Sequence, residues 1–193
     1  MSSMASNLPG TTLPFSPQDR MDAFEALRPI FAVSPGGLLI SQIAEMTGLG
    51  ASTIQNWVKR GWVSRPVGKK YGELQVARIL LINLLRPAMQ LDEIVTLLKL
   101  INGSVDDRSD DIIPETQLYS LMCSLIFEME SSNNFSHRFI AKLTRQHLEG
   151  YQGPVPDAQQ RLQEALTIML LNVAASRLMQ IASSIYKDSI EKV

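Results

Sequence analysis

The sequence predicts an all-α protein with a small β-wing, and three observations carry that expectation. Apolar residues recur at three- and four-residue spacing through most of the 193-residue chain. Pro and Gly gather between those runs, where they stop one helix and start the next. One such gap, SRPVGKKYG from Ser64 to Gly72, is short, basic and unfit for helix, as a two-stranded wing would be. A hydrophobic share of 45% supports a real core, and an aromatic share of 6% with 9 Met points to helices packed by aliphatic side chains.

The stretch Leu38 to Val63, LLISQIAEMTGLGASTIQNWVKRGWV, reads as two helices across a glycine turn. Ser41 can cap the first, whose Ile43, Ala44 and Met46 share a face, and Gly48 ends it where a left-handed residue is tolerated. Leu49 pins the turn to the core. Ala51 or Ser52 opens the second helix, which puts Ile54, Trp57 and Val58 on one side and stops at Gly61. The other side offers Ser52, Thr53, Gln55, Asn56 and Lys59, small hydrogen-bonding or cationic groups that can reach base edges and phosphates in a major groove. Arg60, Arg65, Lys69, Lys70 and Tyr71 follow at the helix end and in the wing, as phosphate-holding groups. Helix resumes in ELQVARILLINLL, breaks at Pro87 and reopens at Leu91-Asp92-Glu93-Ile94.

Charge is unevenly spread. Between Leu38 and Gln90, Lys59, Arg60, Arg65, Lys69, Lys70, Arg78 and Arg86 stand against Glu45 and Glu73, while the whole chain carries a net charge of -1. The near balance argues against a generally adhesive nucleic-acid binder. A basic head on an acidic body is the asymmetry expected when one face meets phosphates, although an unevenly charged solvated surface also accounts for it.

Order and spacing here resemble the MerR family of winged helix-turn-helix regulators, over about Leu39 to Ile101. The turn and recognition helices close on Gly61-Trp62-Val63, a glycine before two apolar residues; Gly68-Lys69-Lys70-Tyr71 looks like the wing. Ile82-Asn83-Leu84-Leu85-Arg86 and Gln90-Leu91-Asp92-Glu93-Ile94 then match in order. The recognition helix departs from the family in having Ser52, Gln55, Asn56 and Trp57 where arginines and tyrosines are usual, so its grip on phosphate is thinner. The overall layout, such a head followed by a compact helical tail, also resembles the uncharacterised bacterial DUF1836 family, a resemblance that names no ligand.

In chain order, residues 1–15 read as a disordered leader and residues 16–101 as the winged helix-turn-helix head. Ser16-Pro17 starts a helix that ends before Pro29, with Phe24 and Leu27 docked on the head, and Pro35-Gly36-Gly37 forms a loop. Asn102-Gly103 closes the head. Residues 102–114, carrying the aspartates of VDDRSDDIIPET, form an acidic linker, which lacks the Gly and final Glu that a calcium loop requires. Residues 115–193 form an all-helical domain for dimerisation. Its helices span Glu115 to Ser131, Phe135 to Gly150 and a last one capped by Asp157; Ser176 and Gln180 interrupt one candidate heptad seam, so that last helix reads as the centre of a bundle.

Other function classes find little support. His137 and His147 are ten apart and share no helical face, and no phosphate loop, nucleophile elbow or dinucleotide fingerprint occurs, so no catalysis and no cofactor are expected. Cys123, the single cysteine, sits among Leu121, Met122, Leu125 and Ile126 as an inert buried thiol and suits a reducing cytoplasm. No secretory or membrane-spanning segment is read, the longest apolar block, ALTIMLLNVAA, falling short of the ~20 residues that a bilayer requires. Met122, Met129, Met169 and Met179 either line a pocket for an unidentified small-molecule effector or simply fill the core. The sequence thus predicts a cytoplasmic, homodimeric regulator of transcription that binds double-stranded DNA. The alternative is a winged-helix module for protein partners without specific DNA binding, which turns on whether Trp57 and Trp62 are buried.

Overall fold

The computed structural model describes residues 6–15, 22–109 and 111–190. Its order is β1 (Ser6–Asn7), β2 (Pro14–Phe15), a 3-10 turn (Glu25–Leu27), α1 (Arg28–Ala32), β3 (Leu38–Leu39), α2 (Ile40–Thr47) and α3 (Ala51–Lys59), then β4 (Lys70–Tyr71), α4 (Glu73–Leu85), α5 (Leu91–Asn102), α6 (Glu115–Ser131), α7 (His137–His147) and α8 (Ala158–Ile190). The protein is mainly helical, with, among the described residues, two minimal antiparallel sheets that pair β1 with β2 and β3 with β4.

Three helices begin by one device. The side-chain oxygen of the third helical residue accepts the amide of the residue before the helix: Gln42 from Leu39 at 2.8 Å, Gln75 from Gly72 at 2.7 Å and Glu93 from Gln90 at 3.0 Å. The cap of α2 is therefore not Ser41, which lies inside its first turn. Gly48 ends α2 with φ 69°, and Gly61 follows α3 with the same φ. Pro29 lies within the first turn of α1, a position that needs no amide donor, so helix starts there instead of ending before it. The remainder of the helix expected from Ser16-Pro17 falls outside the described residues up to position 21.

The expected disordered leader is ordered from residue 6 onward. Leu8 is 2% exposed, the Asn83 amide donates to the Gly10 carbonyl at 2.8 Å, and Phe15 stacks on Phe127 with centroids 5.3 Å apart. Gly10 has φ 76°, and a Cβ there would lie 2.7 Å from the Leu80 carbonyl oxygen, so the turn presses directly on α4.

Head and tail share one core. Ile43, Ile54 and Trp57 of α2 and α3 join the same apolar cluster as Leu118, Met122 and Leu125 of α6 and Leu162, Leu166 and Met169 of α8. The helix at its centre is α4, which buries Val76, Ala77, Ile79, Leu80, Leu81, Ile82 and Leu85. The acidic linker is not wholly solvated either, because Asn102, Ile112 and Ile113 are buried and the Tyr151 hydroxyl donates to the Ile112 carbonyl at 2.5 Å.

Only half of α8 fits the expected bundle helix. Leu162, Ala165, Leu166, Met169, Leu170 and Ala174 are buried, whereas every residue from Arg177 to Ile190 is exposed. Among the described residues α8 is the one helix long and apolar enough to cross a membrane by length and composition. The continuous helix is longer than the apolar block suggested, but its first half is this fold's own core, the ordinary reason for such a composition. Met122, Met129 and Met169 are fully buried and Met179 is 65% exposed, so the four do not meet around one pocket.

Candidate nucleic-acid interface

The turn between α2 and α3 sets the geometry. Leu49 is 5% exposed and, with Gly50 extended before α3, it turns the second helix so that Ile54 and Trp57 face the core. Ser52, Gln55, Asn56, Lys59 and Arg60 then face solvent, and Thr53 is half-buried. The helical tail covers none of the five exposed side chains. The Arg60 guanidinium lies 5.0 Å above the Trp62 ring, which orients the charge at the end of α3. Trp57 is 2% exposed and half-buried Trp62 packs at the margin of the core, so both tryptophans brace the hairpin of helices.

The basic segment after Trp62 closes in a tight turn. Val67 and Lys70 bridge each other, their backbone groups bonding at 3.0 and 2.9 Å, with Gly68 (φ 56°) and Lys69 (φ 65°) at its two central positions. The second strand of this hairpin pairs with β3, the strand that leads into α2, in the register Leu38 to Tyr71 and Leu39 to Lys70. The sheet thereby ties the basic turn to the first helix of the pair. Gly37 makes the approach possible: at φ 112° it lies where a Cβ would stand 2.2 Å from the Tyr71 carbonyl oxygen.

Not every cation or polar group expected on this face is free. Arg65 and Lys69 are exposed, but the Lys70 ammonium donates to the Pro35 carbonyl at 2.5 Å. Tyr71 is 4% exposed, and burial raises its phenol above the ordinary value, so it is a core residue and no phosphate contact. Arg78, counted with the basic head, is 2% exposed and paired with Glu115. A residue that sequence reasoning did not single out is Gln75. Its amide nitrogen donates to the Ser64 and Arg65 carbonyls at 3.0 and 2.8 Å while its oxygen caps α4, so it fixes where the basic loop meets the helix. The signal was a Gln at the third position of a helix.

Among the described residues no group of three or more His, Cys, Asp or Glu side chains could hold a metal ion.

The chain is similar to the "Uncharacterized protein YkrK" of Bacillus subtilis (strain 168), at 31% identity over 93 residues, which are 46% of this chain and 40% of that protein. It therefore spans less than half the length of the curated relative it matches. No solved structure matches it. The matching family model, described as a domain of unknown function, DUF1836, covers residues 38–122, the segment from β3 into α6 that holds the paired helices, the basic turn and the core helix α4.

Proposed function

We propose that this protein is a DNA-binding regulator of transcription, acting as a cytoplasmic homodimer, with α2, α3 and the basic turn as a MerR-like winged head. The observation that carries the reading is the uncovered outer face of α3: Ser52, Gln55, Asn56 and Lys59 are exposed together, continuous with Arg60 and, across Gly61, with Arg65 and Lys69. A helix of this length fits a major groove, where hydrogen-bonding side chains read base edges while cations at its end and on a neighbouring turn hold the backbone. Gln and Asn suit adenine, and the modest number of cations fits a protein that relies on two copies for affinity. Lys70 serves this face only as a nearby charge, since its ammonium is bonded to Pro35.

The test is duplex binding by fluorescence anisotropy over a range of salt. Each cation taken away from a phosphate should flatten the slope of log K against log salt by about 0.9, so Lys59→Ala with Lys69→Ala should flatten it by ~2. A wild-type chain whose duplex affinity is nil, or indifferent to salt, overturns the reading. The rival, a module for a protein partner, draws on Val67 at the tip of the turn, 81% exposed.

A further inference from the structure

We infer that a pit where the basic loop, α4, the acidic linker and α6 meet is a binding site for a small zwitterion, a free α-amino acid, with its carboxylate on Arg78 and its ammonium on Asp107. The inference stands whatever the head binds.

Arg78 of α4 and Glu115 of α6 line the inner side of the pit, and Asp107, Arg108 and Asp111 of the linker its outer side. Arg78 is 2% exposed, and its Nε and Nη1 donate to the Trp62 carbonyl and the Glu115 carboxylate, each at 2.7 Å. Nη2 is buried without a hydrogen-bond partner, so it is the donor that Arg78 keeps for the pit. A buried charged donor left unpaired is costly, and an acceptor oxygen placed on it recovers that cost. The pit has about 10 Å³ for the centre of a water-sized atom, enough for one oxygen, within a hollow of about 300 Å³ counted with its open mouth. A single water fits that floor too, but it answers none of the charges on the rim.

The linker holds its side of the pit in place. The Asp107 amide donates to the Ser104 carbonyl at 3.2 Å, Asp107 Oδ1 accepts the Ser109 amide and hydroxyl at 2.9 and 2.8 Å, and Ile112 and Ile113, next in the chain after Asp111, are buried. The Ser109 bonds hold the Asp107 carboxyl below the ordinary carboxylate range, so it is charged at neutral pH. Arg78 and Glu115 neutralise each other, which leaves Arg108 against Asp107 and Asp111 on the rim. A plain anion is repelled by those carboxylates, and a divalent metal by the two guanidiniums. A molecule with a carboxylate and an ammonium a few bonds apart answers both ends. One carboxylate oxygen bonds Nη2 at the floor, the other faces Arg108, and the ammonium faces Asp107. The Ser64 and Ser104 hydroxyls belong to the same lining and can bond either end. The side chain of the amino acid then leaves through the open mouth.

The test is NMR titration of the full isotope-labelled chain with the free amino acids added singly, and with acetate, methylammonium and glycerol as partial probes. At least one amino acid should saturate at millimolar concentration or below, shifting the Arg78 Nε–H and Arg108 amide resonances together. Acetate should be several-fold weaker, and methylammonium and glycerol should not bind. Asp107→Asn keeps an acceptor for Ser109 and should weaken the amino acid by up to about fivefold while leaving acetate no weaker. Arg108→Gln should weaken both. Arg78→Lys keeps a charge beside Glu115 but loses Nη2, and should abolish binding. Should that variant fail to fold, the two rim variants still decide, since both positions are exposed. No shift with any amino acid overturns the inference and leaves a water alone on Nη2. Acetate or glycerol binding as tightly as the best amino acid overturns it too, as do rim variants without effect. Duplex binding is a separate measurement, so either reading can fail alone.

Discussion

Arg78 of α4 and Glu115 of α6 form a buried ion pair at 2.7 Å, with side chains 3% and 9% exposed. The Arg78 Nε also donates to the Trp62 carbonyl at 2.7 Å, so one guanidinium joins the end of the paired helices, the core helix and the tail. Two charges this deep are costly to bring from water, and each neutralises the other here, while the Arg78 Nη2 is buried without a hydrogen-bond partner. Glu115→Ala should leave the guanidinium uncompensated and cost ~3–5 kcal/mol, while Arg78→Met with Glu115→Leu should cost markedly less. Urea denaturation of the two variants checks the order, and equal losses would show that the pair is not a unit.

Leu8 tests the leader. A buried Leu replaced by Ala loses its transfer energy and leaves a cavity, at ~2–5 kcal/mol. Leu8 is 2% exposed, and the next residue, Pro9, accepts the Tyr119 hydroxyl at 2.7 Å. Leu8→Ala should therefore lower Tm by several degrees. A dispensable leader would give no change.

Gly37→Ala should be far more damaging than Gly61→Ala. Both glycines have positive φ, but a Cβ at 37 meets the Tyr71 carbonyl oxygen and Gly72 nitrogen at 2.2 and 3.1 Å, while one at 61 meets nothing within 4 Å. Left-handed strain alone costs on the order of 1 kcal/mol. The added clash at 37 would part β3 from β4. Thermal melts of the two variants separate these effects.

Gln55→Ala and Asn56→Ala should change which sequences are preferred more than they change overall affinity, each bidentate base pairing being worth about 1–3 kcal/mol of discrimination. Selection from a randomised duplex library checks this. Equal weakening across all sequences would remove these two side chains from base reading.

Stability should fall at alkaline pH. Burial pushes the Cys123 thiol well above its ordinary 9.0 and the Tyr119 phenol above its ordinary 10.0. An acid whose folded value is raised favours the folded state below its unfolded value, and that advantage is lost as pH climbs, so unfolding free energy should decline above about pH 9. Cys123→Ala should shallow the decline. The native thiol should also react slowly with alkylating reagents, and rapid reaction would contradict its burial.

Local rules made much of this molecule legible. The bounds of α6, from Glu115 to Ser131, follow from an apolar period bracketed by Pro114 and Asn133, and Gly48 ends α2 in the left-handed region as its lack of a side chain allows. The outward placing of Ser52, Gln55, Asn56 and Lys59 follows from the inward placing of Ile54 and Trp57 on a nine-residue helix. Composition shows a basic loop but not which strand it pairs with, so from the sequence alone Tyr71 and Lys70 read as phosphate contacts. Pairing with Leu38 and Leu39 turns Tyr71 inward, and the closeness of Pro35 engages Lys70.

Periodicity, most helix ends and the exposed face of α3 were written into the residues themselves, since they depend on neighbours within a turn or two. Three-dimensional packing was needed to bring head and tail into one core, to set Arg78 against Glu115 from 37 residues away and to hold residues 7–15 down. It also carried α8 off the body halfway along its length. An amphipathic pattern states which face must be buried, but the surface that buries it comes from distant parts of the chain. Where the body supplies none, as along Leu178, Ile181 and Ile185, the stripe stays open to solvent.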